Sequence, residues 1–151
     1  MHEKYVLDYI AACQIAEKAH TGQRRFNGEP YINHCFRVAA NVGDCYLRKA
    51  TAMLHDVVED TDITLSDLVE HGLNSFVIDA VDSLTKQRNQ AYRAYIERLS
   101  KNRIATDVKI ADLCDNMNVT QLPKVDKKAI ARNEKYVEAL MYLTRVKYEN
   151  S

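Results

Sequence analysis

An all-α, single-domain architecture is predicted by three observations. The chain contains few breaks, with four glycines and two prolines, the residues that most strongly interrupt regular structure. Its apolar residues recur at intervals of three and four rather than alternating, which is the period of an amphipathic helix. At 151 residues a single core is the default, large enough to bury about 70% of the surface that the unfolded chain exposes.

The elements follow in order. Residues 3–20 read as a first helix, on a stripe formed by Val6, Ile10, Cys13, Ile15 and Ala16. TGQRRFNGEP reads as a loop, and Pro30 suits the first turn of a second helix running to about 42. Residues 46–60 form a third helix. A short fourth begins after Thr64, a side chain suited to capping, and stops near His71-Gly72. Helices over 74–84 and 89–100 come next, then one over 104–121 ended by Pro123, and a last from Asp126 to about 148.

Composition excludes several function classes. Lys plus Arg and Asp plus Glu both total 21, which leaves no global field to draw the chain onto nucleic acid or an anionic membrane. An anionic substrate must be held by local charge. No apolar run approaches the ~20 residues of a membrane helix. Cys13, Cys35, Cys45 and Cys114 form no CxxC pair, and the chain does not open with a signal segment. These features predict reduced thiols and a cytoplasmic protein.

LHDVVEDT, residues 54–61, with Asp62 beside it, sets four acidic groups and a histidine into or next to Leu54, Val57 and Val58, where burial normally excludes charge. On a continuous helix, His55 and Glu59 are one turn apart, as are Asp56 and Asp60. His55 and Asp56 together supply an imidazole and a carboxylate to one ion, but two ligands do not complete a site. His34 in PYINH and Asp112 in VKIADLCDNM are the candidates to complete it. This His/His-Asp/Asp set suits manganese, iron or zinc, and such an ion acidifies water and polarises a phosphoryl centre.

His34, the His55-Asp56 doublet and Asp112, in that order, resemble the metal ligands of the HD-domain phosphohydrolases. Within them, TGQRRFNGEPYINH, AMLHDVVEDT and VKIADLCDNM are similar to the hydrolase domain of the RelA/SpoT homologues and to the small alarmone hydrolases. The resemblance runs from the first helix to at least Met117. It implies an all-helical enzyme that uses Mn2+ to remove the 3′-pyrophosphate of guanosine tetra- or pentaphosphate. It further implies that Glu59 and Asp60 order or deprotonate the attacking water, with Arg25 near the guanine base. Lys109 then meets a phosphate, Asn116 a ribose or phosphate oxygen, and Tyr31 borders the nucleoside. Asp60 has a second reading as a cap of the following turn through Thr61 and Asp62.

Two positions depart from the relatives: Phe26 and Leu113 stand where basic residues are usual. Each missing charge removes a charge-assisted hydrogen bond to phosphate, which keeps a hydrolase of another nucleotide or phosphoester, and a nucleotide-binding regulatory module, as alternatives. His2, His20 and His71 read as non-catalytic. KVDKK at 124–128 reads as a polar helix start, and Tyr92, Tyr95, Tyr136 and Tyr142 as packing residues.

Overall fold

A computed structural model describes residues 5–150, and every regular element among them is helical. These are α1 (Val6–Ala19), α2 (Ile32–Ala40), α3 (Tyr46–Leu54), α4 (Val57–Asp60), α5 (Leu65–Glu70), α6 (Ser75–Leu84), α7 (Tyr92–Leu99), α8 (Arg103–Asn116) and α9 (Lys127–Glu149). The expected start of the first helix at residue 3, and His2, lie outside the described residues. No helix of the described chain is long and apolar enough to cross a membrane.

α3 lies at the centre, packed against α1, α2, α6 and α8. Its last turns, Ala50, Ala52, Met53 and Leu54, have no exposed surface. Small residues let neighbouring helices approach, and the buried hydroxyl of Thr51 in this helix donates to the Leu47 carbonyl at 2.8 Å. α8 crosses behind α3 and contacts α2, α6 and α9 as well. The buried apolar side chains form one cluster running from Ala12 of α1 to Leu143 of α9.

Helix ends follow side-chain chemistry. Thr64 and Asp67 cap α5 reciprocally, each side chain accepting from the other's backbone N–H. Gly72, at φ +77°, then turns the chain out of α5 in the left-handed region that glycine tolerates. Asn102 caps α8 and Asp126 caps α9.

Three expectations require correction. The helix over 46–60 is broken: α3 ends at Leu54 and α4 begins at Val57, with Asp56 at φ −110°, ψ 0° between them. α8 ends at Asn116 rather than near 121, because Asn118 takes the N–H and hydroxyl of Thr120 into a separate 3-10 turn over Val119–Gln121. Ile10 is not in the core. α1 buries Ala12, Ile15 and Ala16 toward α3 and leaves Ile10 47% exposed.

Leu99 has no exposed surface and Leu7 is 74% exposed. Truncating Leu99 to alanine is therefore expected to lower unfolding free energy by about 2–5 kcal/mol, while Leu7→Ala changes it by less than about 0.5 kcal/mol. Urea midpoints of the two variants, measured side by side, check the ranking.

Candidate functional site

The break after α3 places the site. His55 and Asp56 occupy the corner between α3 and α4, where His55 Nδ1 lies 2.6 Å from the Ala52 carbonyl oxygen. The nitrogen facing a carbonyl must carry the proton, which leaves Nε2 as a bare lone pair. That Nε2 is buried and has no hydrogen-bond partner. It stands 3.2 Å from Asp112 Oδ1 and 3.0 Å from Asp56 Oδ2. A lone pair facing two carboxylate oxygens is repulsive unless a cation lies among them.

His34 on α2 repeats the arrangement. Its Nδ1 is 2.6 Å from Asp115 Oδ2, and its Nε2 is 2.9 Å from Asp112 Oδ1. One ligand atom from each of His34, His55 and Asp112 lies within 4.8 Å of the others, and all three residues are buried. Asp56, with 24% of its side chain exposed, sits at the edge and accepts from the Tyr31 hydroxyl. Neutral imidazoles with hard oxygen donors fit a divalent cation. The two histidines and Asp112 meet that requirement on geometry, with Asp56 alongside.

Charge around Asp112 is balanced locally. Burial by itself would raise its pKa, but Lys109, whose Nζ is 2.9 Å from Oδ2, holds it well below the usual carboxylate range. Asp56 moves the opposite way, raised by burial and by the charge of Asp112. Burial opposes a proton on His34, yet Asp112 and Asp115 outweigh it and raise the pKa of that ring. The electron pair that takes this proton is the one offered to a cation, so acid and metal compete there.

Three residues that the sequence reading missed support His34. Asp115 accepts from Arg37 Nε at 2.7 Å, and Arg37 makes paired bonds to Glu29 at 2.6 and 3.0 Å. Glu29 belongs to a tight turn in which Arg25 N donates to the Glu29 carbonyl and Gly28 takes φ +86°. The expected loop is thus an ordered hairpin-like segment, with an isolated bridge between Arg24 and Pro30. Spacing carried a signal: His34 and Arg37, like Asp112 and Asp115, are three apart on one helix face.

The other candidates divide. Lys109 and Asn116 both contact Asp112, Asn116 Nδ2 donating to Oδ1 at 3.2 Å. Arg25 is turned inward with 4% of its side chain exposed, bonded to Asn116 at 3.0 Å, Gln121 at 2.7 Å and Asp115 at 3.2 Å. Glu59 and Asp60 are exposed on α4. A Glu59 oxygen accepts from the backbone N–H of Lys86, whereas the Asp60 carboxylate makes no hydrogen bond or ion pair among the described residues. The turn after α4 is held by Thr61, which donates to Val57 and accepts from the N–H of Ile63, in place of the cap expected from Asp60. Because the helix breaks at Asp56, Glu59 does not share a continuous helical face with His55.

A cleft of about 270 Å³ opens beside the cluster, lined by Arg25, Phe26, Tyr31, Asn116, Arg132 and Tyr136 among others. Tyr31 and Asn116 therefore belong to both the cleft and the ligand cluster. Leu113 has no exposed surface and does not line this cleft, so its lack of charge there reflects core packing. Phe26 is 49% exposed, with the Arg25 guanidinium 4.8 Å above its ring. His71 is exposed, while His20 is buried with its ring centroid 4.7 Å from that of Tyr31.

An all-helical fold with buried histidine and aspartate side chains gathered at a helix corner, in an arrangement that could hold a divalent cation, defines the class of helical domain. The family model described as HD domain matches residues 12–141, and the chain belongs to that family. Guanosine-3′,5′-bis(diphosphate) 3′-pyrophosphohydrolase of Vibrio cholerae serotype O1 is 35% identical over 128 residues, 76% of this chain and 18% of that protein. GTP pyrophosphokinase of Streptomyces coelicolor is 31% identical over 78% of this chain and 15% of its own length. The chain thus spans less than a fifth of these relatives. Among solved structures, a metazoan ortholog of SpoT that hydrolyzes ppGpp and plays a role in starvation responses has a TM-score of 0.76 and 25% identity, covering 91% of this chain and 85% of that one.

Two measurements follow. Replacing Asp115 with alanine removes the acceptor for His34 Nδ1 and is expected to weaken divalent-cation affinity about 10–100-fold, read by calorimetric titration; unchanged affinity would mean that Asp115 does not orient the ligand. Arg37 holds the Glu29 pKa down, from an ordinary 4.5 to about 2. The folded value is the lower one, so this ion pair's stability is present above pH 4.5 and lost as pH falls toward 2. Glu29→Gln should flatten the acid loss of melting temperature across that window, and equal slopes would show that the pair adds nothing.

Proposed function

We propose that this domain is a metal-dependent phosphohydrolase that removes the 3′-pyrophosphate of guanosine tetra- or pentaphosphate, acting in the cytoplasm. The observation that carries the reading is the convergence of His34 Nε2 and the unpartnered His55 Nε2 on Asp112 Oδ1, beside a cleft that shares Tyr31 and Asn116 with the cluster. Similarity to the Vibrio pyrophosphohydrolase and to the ppGpp-hydrolysing SpoT ortholog supports the substrate.

His34, His55, Asp56 and Asp112 would hold the cation, and we assign it as Mn2+, which accepts mixed imidazole and carboxylate ligands. When bound, the ion supplies Lewis acidity at phosphoryl oxygen and acidifies water. The chain's own groups do the rest. Lys109 pins one oxygen of Asp112 and leaves the other for the cluster. Glu59 and Asp60 are the proton acceptors for the attacking water. Water oxygen bonds to the phosphorus nearest the ribose, the P–O3′ bond breaks, the ribose 3′-oxygen leaves with its electron pair and is protonated by the proton taken from the water, and pyrophosphate is released. Arg25 is the nucleoside-binding group and reaches a base by exchanging its bonds to Gln121 and Asn116; Tyr31 and Asn116 border the sugar.

One observation favours a second reading. Phe26, in the cleft wall, contributes a ring where a phosphate-binding cation would add charge, which points to hydrolysis of a less highly charged nucleotide or phosphoester.

Purified protein loaded with manganese is expected to release pyrophosphate from guanosine tetraphosphate and to lose this activity with a chelator. His55→Ala should lose both metal and turnover; Glu59→Gln should keep the metal and lose about 100-fold or more in kcat. No release from guanosine tetraphosphate, alongside turnover of another nucleotide in the same screen, would transfer the assignment to the second reading.

A further inference from the structure

Tyr92 and Tyr95 stand three apart on α7, with ring centroids separated by 6.0 Å, yet their hydroxyls differ. Tyr95 Oη donates to the Leu84 carbonyl at 2.7 Å, an ordinary buried packing arrangement. Tyr92 Oη is also buried but has no hydrogen-bond partner among the described residues. A buried hydroxyl left unpaired costs free energy, and such groups in native folds call for a cause.

The surroundings of Tyr92 supply one. Lys135 of α9 sets its ammonium 4.1 Å from the centre of the Tyr92 ring and 5.9 Å from that of Tyr136, which lines the cleft. Lys109 lies 5.4 Å from the ring centre of the neighbouring Tyr95 and 2.9 Å from Asp112. Tyr92 lines a small hollow with Lys135 and Tyr142 rather than the cleft itself, and it lies within electrostatic reach of Lys109 and Asp112 of the cluster and of Tyr136 of the cleft wall. Lys135 makes no ion pair among the described residues. An unpaired buried donor with one ammonium against its ring and a second within electrostatic reach matches an anionic oxygen that arrives with the ligand.

We infer that the Tyr92 hydroxyl is a substrate-binding donor that completes its hydrogen bond on a phosphate oxygen of the pyrophosphate group. This rests on the phosphohydrolase reading for the identity of the substrate, but the contact itself requires only a pyrophosphate beside Lys109. Burial raises the Tyr92 pKa, which keeps the hydroxyl protonated as a donor at neutral pH.

Tyr92→Phe separates this role from packing, with Tyr95→Phe as its control. Removing an unpartnered hydroxyl leaves the melting temperature unchanged or higher, whereas removing the bonded hydroxyl of Tyr95 lowers it. In the metal-loaded protein, Tyr92→Phe is expected to weaken binding of micromolar inorganic pyrophosphate about 10-fold or more, the worth of a hydrogen bond to a charged acceptor. With guanosine tetraphosphate, KM should rise by more than kcat falls. Pyrophosphate affinity within twofold of wild type, no pyrophosphate binding by wild type, or a fall in melting temperature like that of Tyr95→Phe each overturns the inference. Wild-type protein that binds pyrophosphate through Tyr92 but turns over no guanosine tetraphosphate would retain this contact and sink the alarmone reading. Wild-type KM in Tyr92→Phe would do the reverse.

Discussion

The carboxylate of Asp112, with 5% of its side chain exposed, is the constraint around which the rest is arranged. A charge so far from water is tolerable only if every lone pair meets a donor or a cation. Lys109 satisfies one oxygen from within α8, and the other faces Asn116, His34 and His55. These contacts tie α2 and the end of α3 to α8, so the core packing of three helices and the composition of the site are one problem. The surrounding cluster of small and branched apolar side chains excludes water and keeps each electrostatic contact strong.

The corner at His55 and Asp56 solves a geometric difficulty. Successive residues of an uninterrupted helix point about a quarter-turn or more apart, and cannot both face one point. Leaving helical geometry at Asp56 brings its carboxylate oxygen to 3.0 Å from His55 Nε2. The same break displaces Glu59 and Asp60 onto the exposed side of the short helix α4, where Glu59 also anchors the segment before α7 through Lys86.

Much of this was legible in the sequence, for reasons that can be stated. Helix periodicity, Thr64 and Asp126 marked elements because these signals act over a few residues. The clustered residues His34, His55 and Asp112 were legible as motifs, each a type whose burial demands a partner. Asp115, Arg37 and Glu29 were not, because each is an ordinary surface residue by type and acquires meaning from a neighbour: Arg37 and Asp115 are 78 positions apart. The break at Asp56 was hidden by residues that all permit helix, and Leu113 read as a lost charge because its direction is set by tertiary packing.

The inward turn of Arg25 has a thermodynamic meaning. Its guanidinium bonds Asp115, which holds His34, and Asn116, which donates to Asp112. A ligand that draws Arg25 toward the cleft must loosen groups that shape the proposed cation pocket. Linkage is reciprocal: by whatever factor an occupied cleft alters cation affinity, the cation alters affinity in the cleft by the same factor. The hairpin and the pocket are then two ports of one equilibrium, and the affinity of either has no single value apart from the occupancy of the other.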